Sequence, residues 1–151
     1  MNIAMKRILA VLAIACATAF QGQQALQDDV PAFHKTPPAK GEALPPVLTE
    51  KQLVDAGFNA PAHLASYKAA AKAPAVMYQM PCYCHCDKGH GHTSLHSCFE
   101  TVHGASCGTC MAEALYAYKM SKKGWTAKMI RDAVIRGDYK AIDLQHPEPV
   151  N

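Results

Sequence analysis

The clearest pattern of apolar and polar positions lies in the second half of the chain and predicts an amphipathic helix. From Cys107, small or apolar residues fall at i, i+3, i+4, i+7, i+8 and i+11, ending at Tyr118. This spacing puts them on one face of an α-helix. Ser106 is a suitable N-cap and Gly124 can end the helix. A second, shorter stripe of the same kind follows and stops at Gly137.

Capping residues and prolines predict where the other helices begin. Thr49 and Gln52 form a capping-box pattern, and Pro61 is placed to open the helix "PAHLASYKAAAK". Thr126 is a capping residue for the second stripe. The segment "AVMYQM", which follows the next proline, is compatible with one helical turn or with a short strand.

Residues 81–104 are expected to form an ordered loop between these groups of helices. Three glycines interrupt any helical pattern there, and only "CFETV" has strand character. The predicted fold class is therefore mainly α. We expect a small helical domain over residues 49–146, wrapped around a Cys/His-rich loop and preceded by a signal peptide and a disordered tether.

Residues 1–19 have the pattern of a secretory signal peptide. A basic pair precedes an apolar run that is too short to span a bilayer. "AIAC" resembles a lipobox in which Cys16 becomes the lipidated terminus, whereas "ATA" fits ordinary signal peptidase. Residues 20–48 are rich in Gln, Pro and Ala and predict a disordered tether. The expected location is outside the cytoplasm, either as a membrane-anchored lipoprotein or as a periplasmic or extracellular protein.

Charge and composition narrow the function classes. The chain has 15 basic and 12 acidic residues, a net charge of +3. This balance argues against nucleic acid as a partner, because phosphate binding needs a concentrated basic face. No Ser/His/Asp arrangement, phosphate loop or paired-carboxylate motif indicates an enzyme. Glu100 and Glu113 are expected to be a loop residue and a helix-surface residue. The strongest signal is the content of seven Cys and eight His, and six Cys remain once Cys16 is assigned to the signal region.

Six cysteines in a small exported domain ordinarily form disulfides. In an extended "CYCHC" segment the three sulfurs share one face at spacings of about 6.5–7 Å. Two neighbouring cysteines at that spacing do not easily form a disulfide with each other. The three cysteines of this segment, Cys82, Cys84 and Cys86, would then pair with Cys98, Cys107 and Cys110, and six pairings of this kind are possible. A disulfide-stapled interaction module is therefore one interpretation.

A bent CxCxC segment instead turns its thiolates onto a soft metal ion. Histidines and glycines follow at once in "CHCDKGHGH", and "CGTC" at a predicted helix start has the spacing of half a zinc site. Thiolate and imidazole suit Cu(I) or Zn(II), and Met77, Met80 and Met111 favour copper. The predicted ligands are first Cys82, Cys84, Cys86, Cys107 and Cys110, then Cys98, His92 and His103, with His85 and His90 as further candidates.

"CGTC" at a helix start also resembles a thioredoxin-type dithiol, but the βαβ pattern that supports such a site is absent from the sequence. A thiol–disulfide redox protein is a third interpretation, and it is the weakest of the three.

His34, His63 and His146 lie outside the cluster and are expected on the solvated surface.

From Tyr67 to Tyr139 the chain resembles the PCYCGC-motif lipoproteins of bacteria. The matching features are "PCYCHC", Gly91-His92, Cys98-Phe99, His103-Gly104 followed by Cys107-x-x-Cys110, and "WTAKMIRDAVIRGDY". The resemblance implies a membrane tether outside the cell, with Cys16 as the lipid site. The sequence departs from the motif at His85, where the family has Gly. The family carries no settled activity, so the resemblance bears on fold and location more than on function.

These observations together predict an exported protein that binds a soft metal ion, copper ahead of zinc, for sequestration or delivery. Its expected partners are the membrane, through a lipid anchor, and an extracytoplasmic metalloprotein or transporter. Nucleic acid is not expected.

Overall fold

A computed structural model describes residues 29–151. The predicted signal peptide, Cys16 and the first part of the predicted tether lie outside this range. The described residues contain α-helices and 3₁₀ helices and no β-strand. The mainly α fold class with a Cys/His-rich cluster is therefore confirmed. None of the helices within residues 29–151 has the length and hydrophobicity that a membrane span requires.

The elements follow one another with short connections. In chain order they are α1 (Glu50–Asp55), α2 (Pro61–Lys72), α3 (Pro74–Tyr78), α4 (Cys86–His90), the 3₁₀ helices η1 (Leu95–Phe99) and η2 (Val102–Ser106), α5 (Gly108–Lys122), α6 (Ala127–Arg136) and the 3₁₀ helix η3 (Asp138–Ala141).

The start of α1 and both ends of α6 that were predicted from local signals are confirmed. The Thr49 side chain accepts from the Gln52 N–H at 3.3 Å, and the Gln52 side chain accepts from the Thr49 N–H at 2.8 Å. This is the reciprocal capping box at the start of α1. Thr126 caps α6 by accepting from the backbone N–H of Met129. Gly137 ends that helix with a φ of 87°.

Two local predictions are wrong. Ser106 does not cap α5, because it is the last residue of η2 and Cys107 is the N-cap. "CFETV" is not a strand, since its first residues belong to η1. The backbone of η1 bonds to residues outside the loop: the Leu95 N–H donates to the Met80 carbonyl, and the Phe99 carbonyl accepts from the Leu48 N–H. A strand would also direct successive side chains to opposite faces, whereas neighbouring residues of η1 are fully buried together.

The core lies between α2 and α5, which pack against each other. Ala69 and Ala70 of α2 and Ala114 and Ala117 of α5 are fully buried, and such small side chains allow two helices to approach closely. The Tyr67 ring meets the ring of Phe99 edge-on, at 4.9 Å between centroids. The 3₁₀ helices η1 and η2 and the CxCxC segment all pack against α5.

Part of the predicted tether contacts the helical domain. Residues 31–48 contain no helix or strand, but the ring of His34 stacks on Tyr78 with 3.7 Å between centroids. The backbone N–H of Ala32 donates to the Asp87 carboxylate at 3.1 Å. The prediction that His34 is simply solvated is therefore wrong, because an aromatic partner covers one face of its ring.

Candidate metal centre

The CxCxC segment bends at His85. This residue has φ 55° and ψ 37°, and it is the one non-glycine residue with positive φ in the described part of the chain. The bend brings the Cα atoms of Cys84 and Cys86 to 5.6 Å and their sulfurs to disulfide-bonding distance. The prediction that neighbouring cysteines of this segment are too far apart is therefore wrong, because it assumed an extended backbone.

The predicted three-against-three disulfide pairing is also wrong. Within residues 29–151, Cys84–Cys86 is the one pair at bonding distance. The remaining described cysteines are free thiols: Cys82, Cys98, Cys107 and Cys110. Disulfides therefore do not join the CxCxC segment to the rest of the fold.

Three sulfurs form an equilateral triangle. The Sγ atoms of Cys82, Cys84 and Cys110 lie 3.3 Å from one another along all three edges. Cys82 and Cys110 are buried, and Cys84 is partly exposed. We call these three residues the thiol triangle. It joins the CxCxC segment to the first turn of α5, which is 26 residues further along the chain.

Two sulfurs and two imidazoles form a second set beside it. The Cys86 Sγ lies 2.8 Å from His103 Nε2, and the Cys98 Sγ lies 3.3 Å from His92 Nδ1. The two sulfurs are 3.9 Å apart. We call Cys86, His92, Cys98 and His103 the mixed site. The seven residues of the thiol triangle and the mixed site are the Cys/His cluster.

The donor atoms of each group are close enough to hold an ion. The five cysteines of the cluster offer sulfurs that all lie within 4.8 Å of one another, and so do the four donors of the mixed site. With edges of 3.3 Å, the centre of the thiol triangle is about 1.9 Å from each sulfur. A point about 2.3 Å from all three, the length of a Zn–S bond, therefore lies about 1.3 Å outside their plane. The arrangement fits a soft cation.

Short elements of the loop bring the mixed site together. Cys86 opens α4, and Gly91, with a φ of 67°, turns the chain so that His92 comes back beside it. Cys98 comes from η1 and His103 from η2. These two 3₁₀ helices pack closely at Gly104, where a Cβ atom would lie 2.8 Å from the Cys98 carbonyl oxygen.

The thiols of the cluster share protons. Hydrogen bonds from Cys110 and Cys98 lower the pKa of Cys82 to about 3. Hydrogen bonds to Cys107, Cys82 and Cys98, together with burial, raise the pKa of Cys110. The Cys98 pKa is lowered by Cys110 but raised more by Cys82 and by burial. A soft cation would take the place of these protons.

Three predicted ligands belong to neither set. Cys107 is the N-cap of α5, and a hydrogen bond from Cys110 lowers its pKa to about 6. His85 forms the bend, with its ring near Tyr83. His90 is exposed, and its ring lies 4.6 Å from that of His103. These side chains surround the two donor sets.

The methionines that favoured copper are core residues. Met77 and Met80 are fully buried within the hydrophobic core, and Met111 is 8% exposed. Their burial follows from packing, so the preference for copper now depends on the sulfur ligands alone.

Glu113 is a residue of the site, and the prediction that it lies on the helix surface is wrong. Its side chain is fully buried; Oε1 accepts from the backbone N–H of Tyr83, and Oε2 has no hydrogen-bond partner. Burial, then the negative charge of Cys82, raises its pKa well above the usual value. Its position three residues after Cys110, on the same face of α5, was the signal in the sequence.

Comparison with known proteins agrees with the motif. A family model described as a protein of unknown function with a PCYCGC motif matches residues 8–143. The chain belongs to the PCYCGC family. No curated protein and no solved structure matches it. In this family's motif the fifth residue is glycine, and here that position is His85, which has positive φ. Glycine adopts this conformation without strain, so the bend accounts for the glycine of the PCYCGC motif.

Proposed function

We propose that this protein is an exported soft-metal-binding protein that holds Cu(I) in preference to Zn(II), for sequestration or for delivery. The observation that carries the proposal is the thiol triangle, in which three mostly buried sulfurs, two from the CxCxC segment and one from α5, lie 3.3 Å from one another. Packing of the core does not require three thiols to lie so close together. Soft thiolate ligands select Cu(I), Zn(II) or iron–sulfur clusters.

The number of sulfurs favours copper. Structural zinc sites are almost always tetrahedral, with four protein ligands. The thiol triangle offers three equidistant sulfurs, and its geometry is compatible with a three-coordinate soft ion. Cu(I) is therefore the proposed ion at this position, and Zn(II) is its competitor in the cluster as a whole.

Location and partners are part of the same proposal. The pattern of residues 1–19 supports export, and Cys16 is the proposed site of lipidation. An extracytoplasmic metalloprotein or transporter is the proposed recipient. Cys84, His92 and His103 are only partly buried, and this edge of the cluster is where an incoming partner would exchange ligands with the ion.

Metal analysis of the reduced protein tests the proposal. Mature protein purified without oxygen or chelators is loaded with Cu(I) and Zn(II) in competition, and retained metal is measured by elemental analysis. We expect copper to be retained in stoichiometric amount. Cys110→Ser is expected to lower retention, whereas the matched control Cys107→Ser, which changes a cysteine outside both donor sets, retains as much metal as the unchanged protein. Reduced, folded protein that retains neither ion would refute metal binding.

A second candidate function is thiol–disulfide exchange, and the pairing of Cys84 with Cys86 is the observation that favours it. A reversible disulfide there removes one sulfur from each donor set. This candidate predicts that the folded protein cycles between six and four free thiols in its mature domain and that metal is absent after anaerobic purification. Thiol titration under reducing and oxidising conditions separates the two functions.

A further inference from the structure

We infer that the Cys/His cluster holds two soft metal ions side by side, one in the thiol triangle and one in the mixed site, with the sulfur of Cys86 between them. This inference rests on the proposed metal binding and adds the number of ions, their separate ligands and the shared atom.

The number of donors is the first reason. The cluster brings together five sulfurs and two imidazole nitrogens within two overlapping groups. A copper or zinc ion takes three or four such ligands. One ion would therefore leave at least three soft donors gathered around it without a role. Two ions use all seven: the thiol triangle supplies three sulfurs to one ion, the mixed site supplies four donors to the other, and the Cys86 sulfur of the mixed site contacts both ions.

The position of Cys86 is the second reason. Its sulfur is at bonding distance from that of Cys84, a member of the thiol triangle, and 2.8 Å from His103 Nε2 in the mixed site. Cys86 and Cys98 both belong to both groups of mutually close donors, and of these two Cys86 is the one whose sulfur lies beside Cys84. When the Cys84–Cys86 pair is reduced, as in the protein used for the test below, Cys86 can supply a thiolate. A negatively charged sulfur between two cations reduces their repulsion, which is the condition for placing them so close together.

The two sets differ in chemistry. The thiol triangle is all sulfur and suits Cu(I). The mixed site has two sulfurs and two imidazoles, the ligand set of Cys₂His₂ zinc sites. We therefore expect the mixed site to accept Zn(II) or Cu(I), and the thiol triangle to discriminate more strongly in favour of copper.

Titration of the reduced full-length protein with Cu(I), in competition with a chromophoric Cu(I) chelator, tests the inference. The expected result is two equivalents per chain. The double variant His92→Ala/His103→Ala is expected to fall to one equivalent, and so is Cys110→Ala. The matched control is His90→Ala, which removes a neighbouring histidine that belongs to neither set and should leave two equivalents.

X-ray absorption of the unchanged protein loaded with two equivalents adds a measurement that needs no variant. A metal–metal scattering path is expected, because two ions that share a sulfur are close neighbours. If the unchanged protein bound one equivalent of Cu(I) per chain, and the histidine and cysteine variants both lost it, the two-ion inference would be overturned. The proposed function would stand. If the reduced, folded protein bound no Cu(I), both the two-ion inference and the proposed function would be overturned.

Discussion

The buried carboxylate of Glu113 accepts a hydrogen bond from the backbone N–H of Tyr83, with 2.9 Å between Oε1 and N. Tyr83 separates two cysteines of the thiol triangle, and Glu113 lies one helical turn after the third. The hydrogen bond therefore ties the CxCxC segment to α5 at the place where the three sulfurs meet. Because Glu113 has no exposed surface, water is poorly placed to take over this contact.

Replacing Glu113 separates the role of this hydrogen bond from the role of its charge. Glu113→Ala removes the acceptor, and we expect it to lower the free energy of unfolding by about 1–3 kcal/mol, the cost of leaving a buried donor unpaired. Glu113→Gln keeps an acceptor oxygen and should stay closer to the unchanged protein. Denaturant unfolding of the reduced, metal-free protein measures the difference. Equal losses in both variants would argue against a positioning role for the hydrogen bond.

Cys107 is expected to be the most reactive thiol of the reduced, metal-free protein. It is half-buried, and its pKa is about 6 because Cys110 donates a hydrogen bond to it. The thiolate is the reactive form, so alkylation by iodoacetamide should speed up as pH rises through about 6 and then level off. Cys82 has a lower pKa but is 4% exposed, and it should react slowly. Cys107→Ser is expected to abolish the fast phase in a mass-spectrometric time course. A fast phase that persists in this variant would contradict the assignment.

The bend at His85 predicts opposite effects of two substitutions. His85→Gly should be neutral or stabilising, because a side chain in the left-handed region costs about 1–2 kcal/mol. His85→Val should destabilise the bend and reduce metal retention, because a β-branched residue tolerates positive φ least. Thermal unfolding and metal stoichiometry of both variants check this. A loss of metal in His85→Gly would instead make His85 a ligand.

Gly104 is predicted to be necessary for the mixed site. In Gly104→Ala the new methyl group would lie 2.8 Å from the Cys98 carbonyl oxygen and 3.1 Å from the Phe99 ring. The two 3₁₀ helices must then move apart, at a cost of about 1–3 kcal/mol. We expect lower stability and loss of metal from the mixed site.

The matched control is Gly89→Ala. A Cβ atom there has nothing within 4 Å, and the residue is exposed. Denaturant unfolding and metal analysis should find this variant unchanged. If both glycine variants retained full stability and full metal content, the close packing at Gly104 would have no part in forming the site.

The helices were predictable because their signals are local. A capping box at Thr49 and Gln52, a cap at Thr126 and a terminating glycine at 137 each act within a few residues of chain. The 3₁₀ turn at Cys98 was not predictable in this way. Its backbone hydrogen-bonds to residues distant along the chain, and such partners leave no periodic pattern in the segment itself.

The amino-acid sequence by itself determined the helical class of the fold, the positions of most helix ends and the chemistry available to the site, since soft sulfur and imidazole donors were the predicted ligands. Tertiary structure alone decided which donors meet. A single left-handed residue at His85 turned an extended triplet into a bend, and the packing of η1, η2 and α5 brought Cys110, Cys98 and His103 to it while leaving Cys107 at the edge. Ligand grouping depends on distances between atoms remote in sequence, which spacing along the chain does not encode.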